Sequence, residues 1–169
     1  MTPAETLVAT YPVVELLIGL TILTVVILVH GIGVRMVYRH FNRTWEQSGH
    51  RMTSWHYNAV VSVAAASLAA LHLVVTFMWA WPIWWSGLIP GLRDSYLFTL
   101  ENYTTLGDDT IGLPKAWRLL GPVIAISGLF NFGWTASVFV NMMHDVGAVD
   151  RAQARREHHE PPPPAPPLT

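Results

Sequence analysis

Between Tyr103 and Pro114 the chain reads YTTLGDDTIGLP, and its polar groups are oxygen donors of the kind a cation takes. Thr104 and Thr105 stand where a preceding helix would end, so their hydroxyls and carbonyls meet an ion at the end of the dipole that favours positive charge. Gly107 allows backbone conformations closed to other residues, and Asp108 and Asp109 follow it as adjacent carboxylates. The two aspartates fit either a cation-attracting loop or the cap of an exposed turn at a membrane surface. Four other groups carry possible chemistry. Glu101 either braces this loop from behind, through Arg93 or a backbone donor, or faces solvent. His72, His30 and Glu15 fall inside apolar runs, where ionisable groups mark functional suspects. Glu15 and His30 are fifteen residues apart on one helix, about 22 Å along its axis, so they cannot share a site. His72 reads either as a hydrogen-bonding residue between helices or as a metal ligand. With no H-x-x-x-H or H-E-x-x-H spacing, and no convergent nucleophile, base and orienting group, no catalytic residue and no metal site are assigned and the chain is not read as an enzyme.

The elements that must position these groups are set by composition. Of 169 residues, 51% are hydrophobic, 12% are charged and none is cysteine, and the mean hydropathy is positive. That is a membrane composition. Ten basic against eleven acidic residues give a formal charge of −1, which offers no basic patch for nucleic acid. Crossing about 30 Å of hydrocarbon takes about 20 apolar residues in a helix, and three windows qualify: Val13–Val34, Tyr57–Trp79 and Leu119–Met142. The N-terminus has Glu5 and no Lys or Arg, so it lacks the basic region of a signal peptide, and the first run is read as a retained span. The third window contains Pro122, Gly128 and Gly133, breakers that membrane helices tolerate and that mark kinks or close approaches. Gly128 and Gly133 are therefore candidates either for an inner-helix hinge or for tight helix packing, and Asn131 between them for a cavity-facing or helix-bonding amide.

Arg35, Arg39, Arg43 and Arg51 against Glu46 put the loop between the first two spans in the cytoplasm by the positive-inside rule. The N-terminus is then outside and the C-terminus cytoplasmic, as expected of a multi-pass protein of the cell membrane. Trp79, Trp81, Trp84, Trp85 and Trp117 would form an aromatic belt at the outer interface. The proline-rich end, EPPPPAPPLT, cannot be helical and predicts a solvated polyproline tail. Between the second and third spans, Arg93 to Leu106 has a helical apolar period with an N-cap offered by Arg93, Asp94 and Ser95. Such a helix is either re-entrant, with irregular backbone protected at membrane depth, or an amphipathic helix lying on the outer leaflet.

The order of span, short helix, TTLGxxxI and span resembles the pore module of the potassium-channel superfamily, whose filter reads T-T-V-G-Y-G-D-(I/L). Thr104, Thr105, Leu106 and Gly107 match its first half, and Ile111 falls on its last position. The stretch from Trp117 to Pro122, W-R-L-L-G-P, and the later F-G-W at Phe132 to Trp134 are similar to the inner helix of small bacterial ion-channel-domain proteins. The resemblance covers about residues 60–143. It implies an all-α membrane protein of three transmembrane helices, with a re-entrant pore helix, Tyr96–Thr105, and a filter loop, Thr105–Asp109, between the second and third. Residues 1–56 become an additional span with a basic loop, 57–146 the pore domain and 147–169 a disordered cytoplasmic tail. The function implied is a cation channel that assembles as a homotetramer in the lipid bilayer, with no cofactor beyond permeant cations such as potassium or divalent ions. Its conduction filter would be Thr104, Thr105, Leu106, Gly107, Asp108 and Asp109, and its hinge Gly128 and Gly133. Where the family has Tyr-Gly-Asp this chain has Asp108, Asp109 and Thr110, which removes the packing aromatic and the second glycine and implies a poorly selective or divalent-sensitive filter. Four copies would bring eight carboxylates round one axis. At about 5 Å and an effective dielectric near 20, each like-charge pair costs about 3 kcal/mol, so such a ring must bind cations or hold protons. A non-conducting subunit that reuses the module for assembly and a membrane metal-binding protein are the alternatives.

Overall fold

The computed structural model describes residues 12–48, 54–107 and 110–159, and these are helical apart from short connections. Helix α1 runs over Pro12–Ser48, α2 over Ser54–Trp85, α3 over Leu92–Tyr103 and α4 over Leu120–His159, with a 3-10 turn at Lys115–Trp117 before α4. Three stretches are long and apolar enough to cross a membrane: Val13–Gln47, Asn58–Trp85 and Lys115–His144. Asp108, Asp109 and the proline-rich end from Glu160 lie outside the described residues.

Each of the three long helices outruns its apolar window. α2 continues through Pro82 to Trp85, past the expected end at Trp79, because a membrane helix has few competitors for the backbone groups that a proline frees. α4 continues to His159, so residues 147–159 are helical rather than part of a disordered tail; Ala148, Ala152, Gln153, Ala154 and Arg155 are adequate helix formers and no proline occurs between Pro122 and Pro161. α3 begins at Leu92 and ends at Tyr103, not Tyr96 to Thr105. Its N-cap is Gly91 with no side-chain bond, while Ser95 instead turns its hydroxyl to the Ile89 carbonyl at 3.3 Å.

α1 and α2 form an antiparallel pair, and α4 packs along α1 with α3 held against both α2 and α4. In lipid, helices gain little from the hydrophobic effect and associate through close packing and hydrogen bonds. The contacts are of that type. A Cβ on Gly31 would meet the Trp134 ring at 2.6 Å, and one on Gly33 would meet Leu71 at 2.5 Å, so α1 is pressed against both α4 and α2. Trp79 is fully buried and donates from Nε1 to Ser127 Oγ at 3.0 Å. It is thus a core residue and not a member of an interfacial belt; Trp81 and Trp85 stay exposed, their rings stacked 6.2 Å apart. One core joins Val26, Val75, Trp79 and Ile83 to Phe98, Tyr103 and Leu120. A smaller one, around Phe41, Ala64 and Met142, closes the opposite end.

Candidate functional site

The end of α3 positions the TTLG stretch. The Leu106 N–H donates to the Glu101 carbonyl at 2.8 Å and the Thr105 N–H to the Asn102 carbonyl at 3.0 Å, the paired bonds of a Schellman C-cap. That motif needs a left-handed residue, usually glycine, and here it is Thr105 with φ 59°. A β-branched residue rarely adopts this conformation. Gly107 is left-handed as well, with φ 61°, so two left-handed residues flank Leu106. Leu106 itself is 75% exposed, and Thr104 returns its hydroxyl to the Leu100 carbonyl at 2.8 Å.

Depth along the bundle follows from Tyr103. Its hydroxyl lies 2.8 Å from His72 Nδ1, and His72 is thirteen residues before the end of α2 at Trp85, about 20 Å along the helix. α3 therefore descends beside α2 from the Trp85 end to its middle. The following segment climbs back, because the Glu15 carboxylate near the start of α1 accepts the Leu119 N–H at 2.6 Å and the Leu120 N–H at 3.1 Å. Those two donors open α4 and have no partner within it. A buried carboxylate at a helix N-terminus satisfies them and is favoured by the dipole. Glu15, 3% exposed, is thus a cap supplied by a different helix.

At the foot of α3 lies a polar cluster inside the bundle. The His30 and His72 rings are 5.0 Å apart, His72 stacks on Phe132 at 4.3 Å, and His30 Nε2 is 3.0 Å from Thr135 Oγ1. The Tyr103 hydroxyl and His72 Nδ1 share one hydrogen bond, whose direction follows the His72 tautomer. Asn131, fully buried, lies beside the Tyr103 hydroxyl without reaching hydrogen-bond geometry. Among the described residues, both its amide atoms, His30 Nδ1 and Glu101 Oε2 are buried without a partner.

The expected site residues thus divide. Thr104 to Gly107 form one turn below α3, and Asp108 and Asp109 lie outside the described residues. Gly128 is where α3 meets α4: a Cβ there would collide with the Tyr103 carbonyl. Gly133 has no described residue within 4 Å of its Cβ position, and α4 is one continuous helix through both. His72 makes the interhelical bond expected of it, but it is not isolated. The pairing with His30 had a signal in the sequence, since both stand 21 residues from position 51 and an antiparallel hairpin brings equidistant positions to one level. The link from Glu15 to Leu119 had none. Among the described residues no three of His, Cys, Asp or Glu gather to hold a metal. Comparison of the chain with protein-family models, curated proteins and solved structures found no match.

Proposed function

We propose that this chain is one subunit of a homotetrameric cation channel of potassium-channel type, with α2 as outer helix, α3 as re-entrant pore helix, residues 104–109 as filter and α4 as inner helix. The observation that carries the proposal is the path of the chain: down beside α2 to His72 as a helix, then back to Glu15 through a segment with no α-helix among its described residues. Irregular backbone at such a depth is tolerated where it lines a cavity or is buried in protein. Two details support the role of the turn. Left-handed residues at 105 and 107 around an ordinary Leu106 make the alternation by which successive carbonyls are turned to one side, and exposed carbonyls in that order replace a cation's hydration shell. The C-terminus of α3, with its negative dipole end, lies immediately above them.

In this arrangement Asp108 and Asp109 concentrate cations at the mouth, and the absence of the family's aromatic and second glycine leaves a filter that discriminates weakly among them. The arginine-bearing end of α1 and α2 is cytoplasmic and the N-terminus outside. The C-cap at Thr104 to Leu106 favours one other reading, a non-conducting subunit, because the N–H groups of this turn already close on α3. Cation flux into liposomes containing the purified protein decides between them. The channel predicts tetramers that pass monovalent cations, with flux reduced several-fold in D108N/D109N. A properly assembled tetramer that passes no cation overturns it.

A further inference from the structure

At the end of the bundle opposite the α2–α3 connection, α1 and α2 separate enough to leave a groove of about 530 Å³, within the range of ligand sites. Met36, Phe41 and Thr44 of α1 face Val60, Val63 and Ser67 of α2 across it. Phe41 and Ala64 are buried at its floor, whereas Met36 and Val63 are more than half exposed at its edge. Along the neighbouring ridge of α1 stand Arg35, Arg39 and Arg43, all exposed and each one turn from the next. Glu46 is the single acid between Arg35 and Ser48.

The level of this groove follows from the exposed indoles at the other end. About 20 helical residues span the hydrocarbon, and that distance back from Trp81 along α2 reaches about Ser62, in the middle of the groove. Its apolar lining therefore straddles the hydrocarbon edge, with the arginines at headgroup height. We infer that the groove binds one anionic phospholipid, an acyl chain lying over Met36, Val63 and Ser67 and the phosphate held by Arg39 and Arg43. The apolar floor accounts for the chain and the arginine ridge for the charge. A zwitterionic lipid would satisfy the first and gain little from the second, because each arginine at a membrane surface contributes about fivefold to the binding of an anionic lipid. The groove lies between α1 and the outward side of α2, and its occupancy does not depend on conduction.

Native mass spectrometry of the full chain in mild detergent tests it with three probes: dioleoyl phosphatidylglycerol, dioleoyl phosphatidylcholine and glycerol 3-phosphate. The wild type is expected to retain phosphatidylglycerol over phosphatidylcholine. R39Q/R43Q, which alters exposed side chains only, is expected to lose about 25-fold of that retention, two arginines at about fivefold each. V63W, filling the groove, is expected to lower retention of both lipids; if it folds poorly, M36Q makes the same test at the groove edge. Equal retention of the two lipids by the wild type overturns the site, as does undiminished retention by R39Q/R43Q. Retention of glycerol 3-phosphate as firm as that of the lipid would reduce the groove to a surface anion patch, and retention unaffected by either groove variant would do the same.

Discussion

The two glycines of α4 illustrate how identical residues on one helix carry different burdens. Gly128 has the Tyr103 carbonyl where its side chain would be, and a backbone group cannot swing aside. Gly128→Ala is expected to cost about 1–3 kcal/mol through overpacking and to lower the thermal midpoint of the detergent-solubilised protein. Gly133→Ala meets no described residue and is expected to be neutral or to stabilise by up to about 1 kcal/mol through helix propensity. Equal destabilisation by the two would contradict the packing described. Tyr103→Phe removes the hydroxyl that bonds His72 Nδ1 and leaves a buried ring nitrogen unpaired, a loss of about 1–3 kcal/mol; a midpoint unchanged from wild type would show that the bond contributes nothing. Such residue-scale detail was only partly legible in the chain. Tight packing was one of two meanings available for Gly128, and the choice depended on where α3 ends, which a two-residue shift in helix boundary alters. Asn131 was visible as a polar residue in an apolar run, but its burial between His30 and Tyr103 depends on three helices at once.

At the scale of elements, the apolar windows located all three spans because about 20 apolar residues in succession have few other uses. They failed at the ends, where the helices run on beyond the apolar residues through polar but helix-compatible sequence; α1 reaches Ser48 and α4 His159. The aromatic cluster was divided by packing, since Trp79 turns inward to Ser127 while Trp81 and Trp85, on the same helix, face out. The start of α4 depends on α1. Glu15→Ala leaves the Leu119 and Leu120 N–H groups without their acceptor, at a cost of about 2–5 kcal/mol, and is expected to loosen α1 from α4. Glu15→Gln keeps a carbonyl oxygen in the same place and is expected to recover most of the loss. Thermal unfolding followed by circular dichroism compares them, and an Ala variant as stable as the Gln variant would remove the cap from the account.

For the whole molecule, the absence of cysteine makes every introduced thiol unique. Leu106→Cys would place one at the exposed turn below α3, where four copies would converge in the proposed tetramer. Mild oxidation in the membrane is expected to yield a disulfide-linked dimer, with Trp55→Cys, exposed near the start of α2, staying uncrosslinked as the control. Leu106→Cys that remains monomeric while Trp55→Cys crosslinks would contradict convergence on one axis. The short helix α3 was legible from its apolar period, apart from its ends; the face of α1 that meets protein, with its glycines against Trp134 and Leu71, was not, because nothing in its own composition says which side that is.

The carboxylate that begins α4 also has a timetable. Glu15 and the Leu119 amide are 104 residues apart, and at about 5–20 residues per second a ribosome needs roughly 5–20 s to make that interval. The first helix is synthesised with its acceptor ready and must wait for the last helix to deliver the donors. A nascent chain stalled before Leu119 would hold an unanswered charge at the membrane face, and completion of the final span would be the event that locks the first one in place.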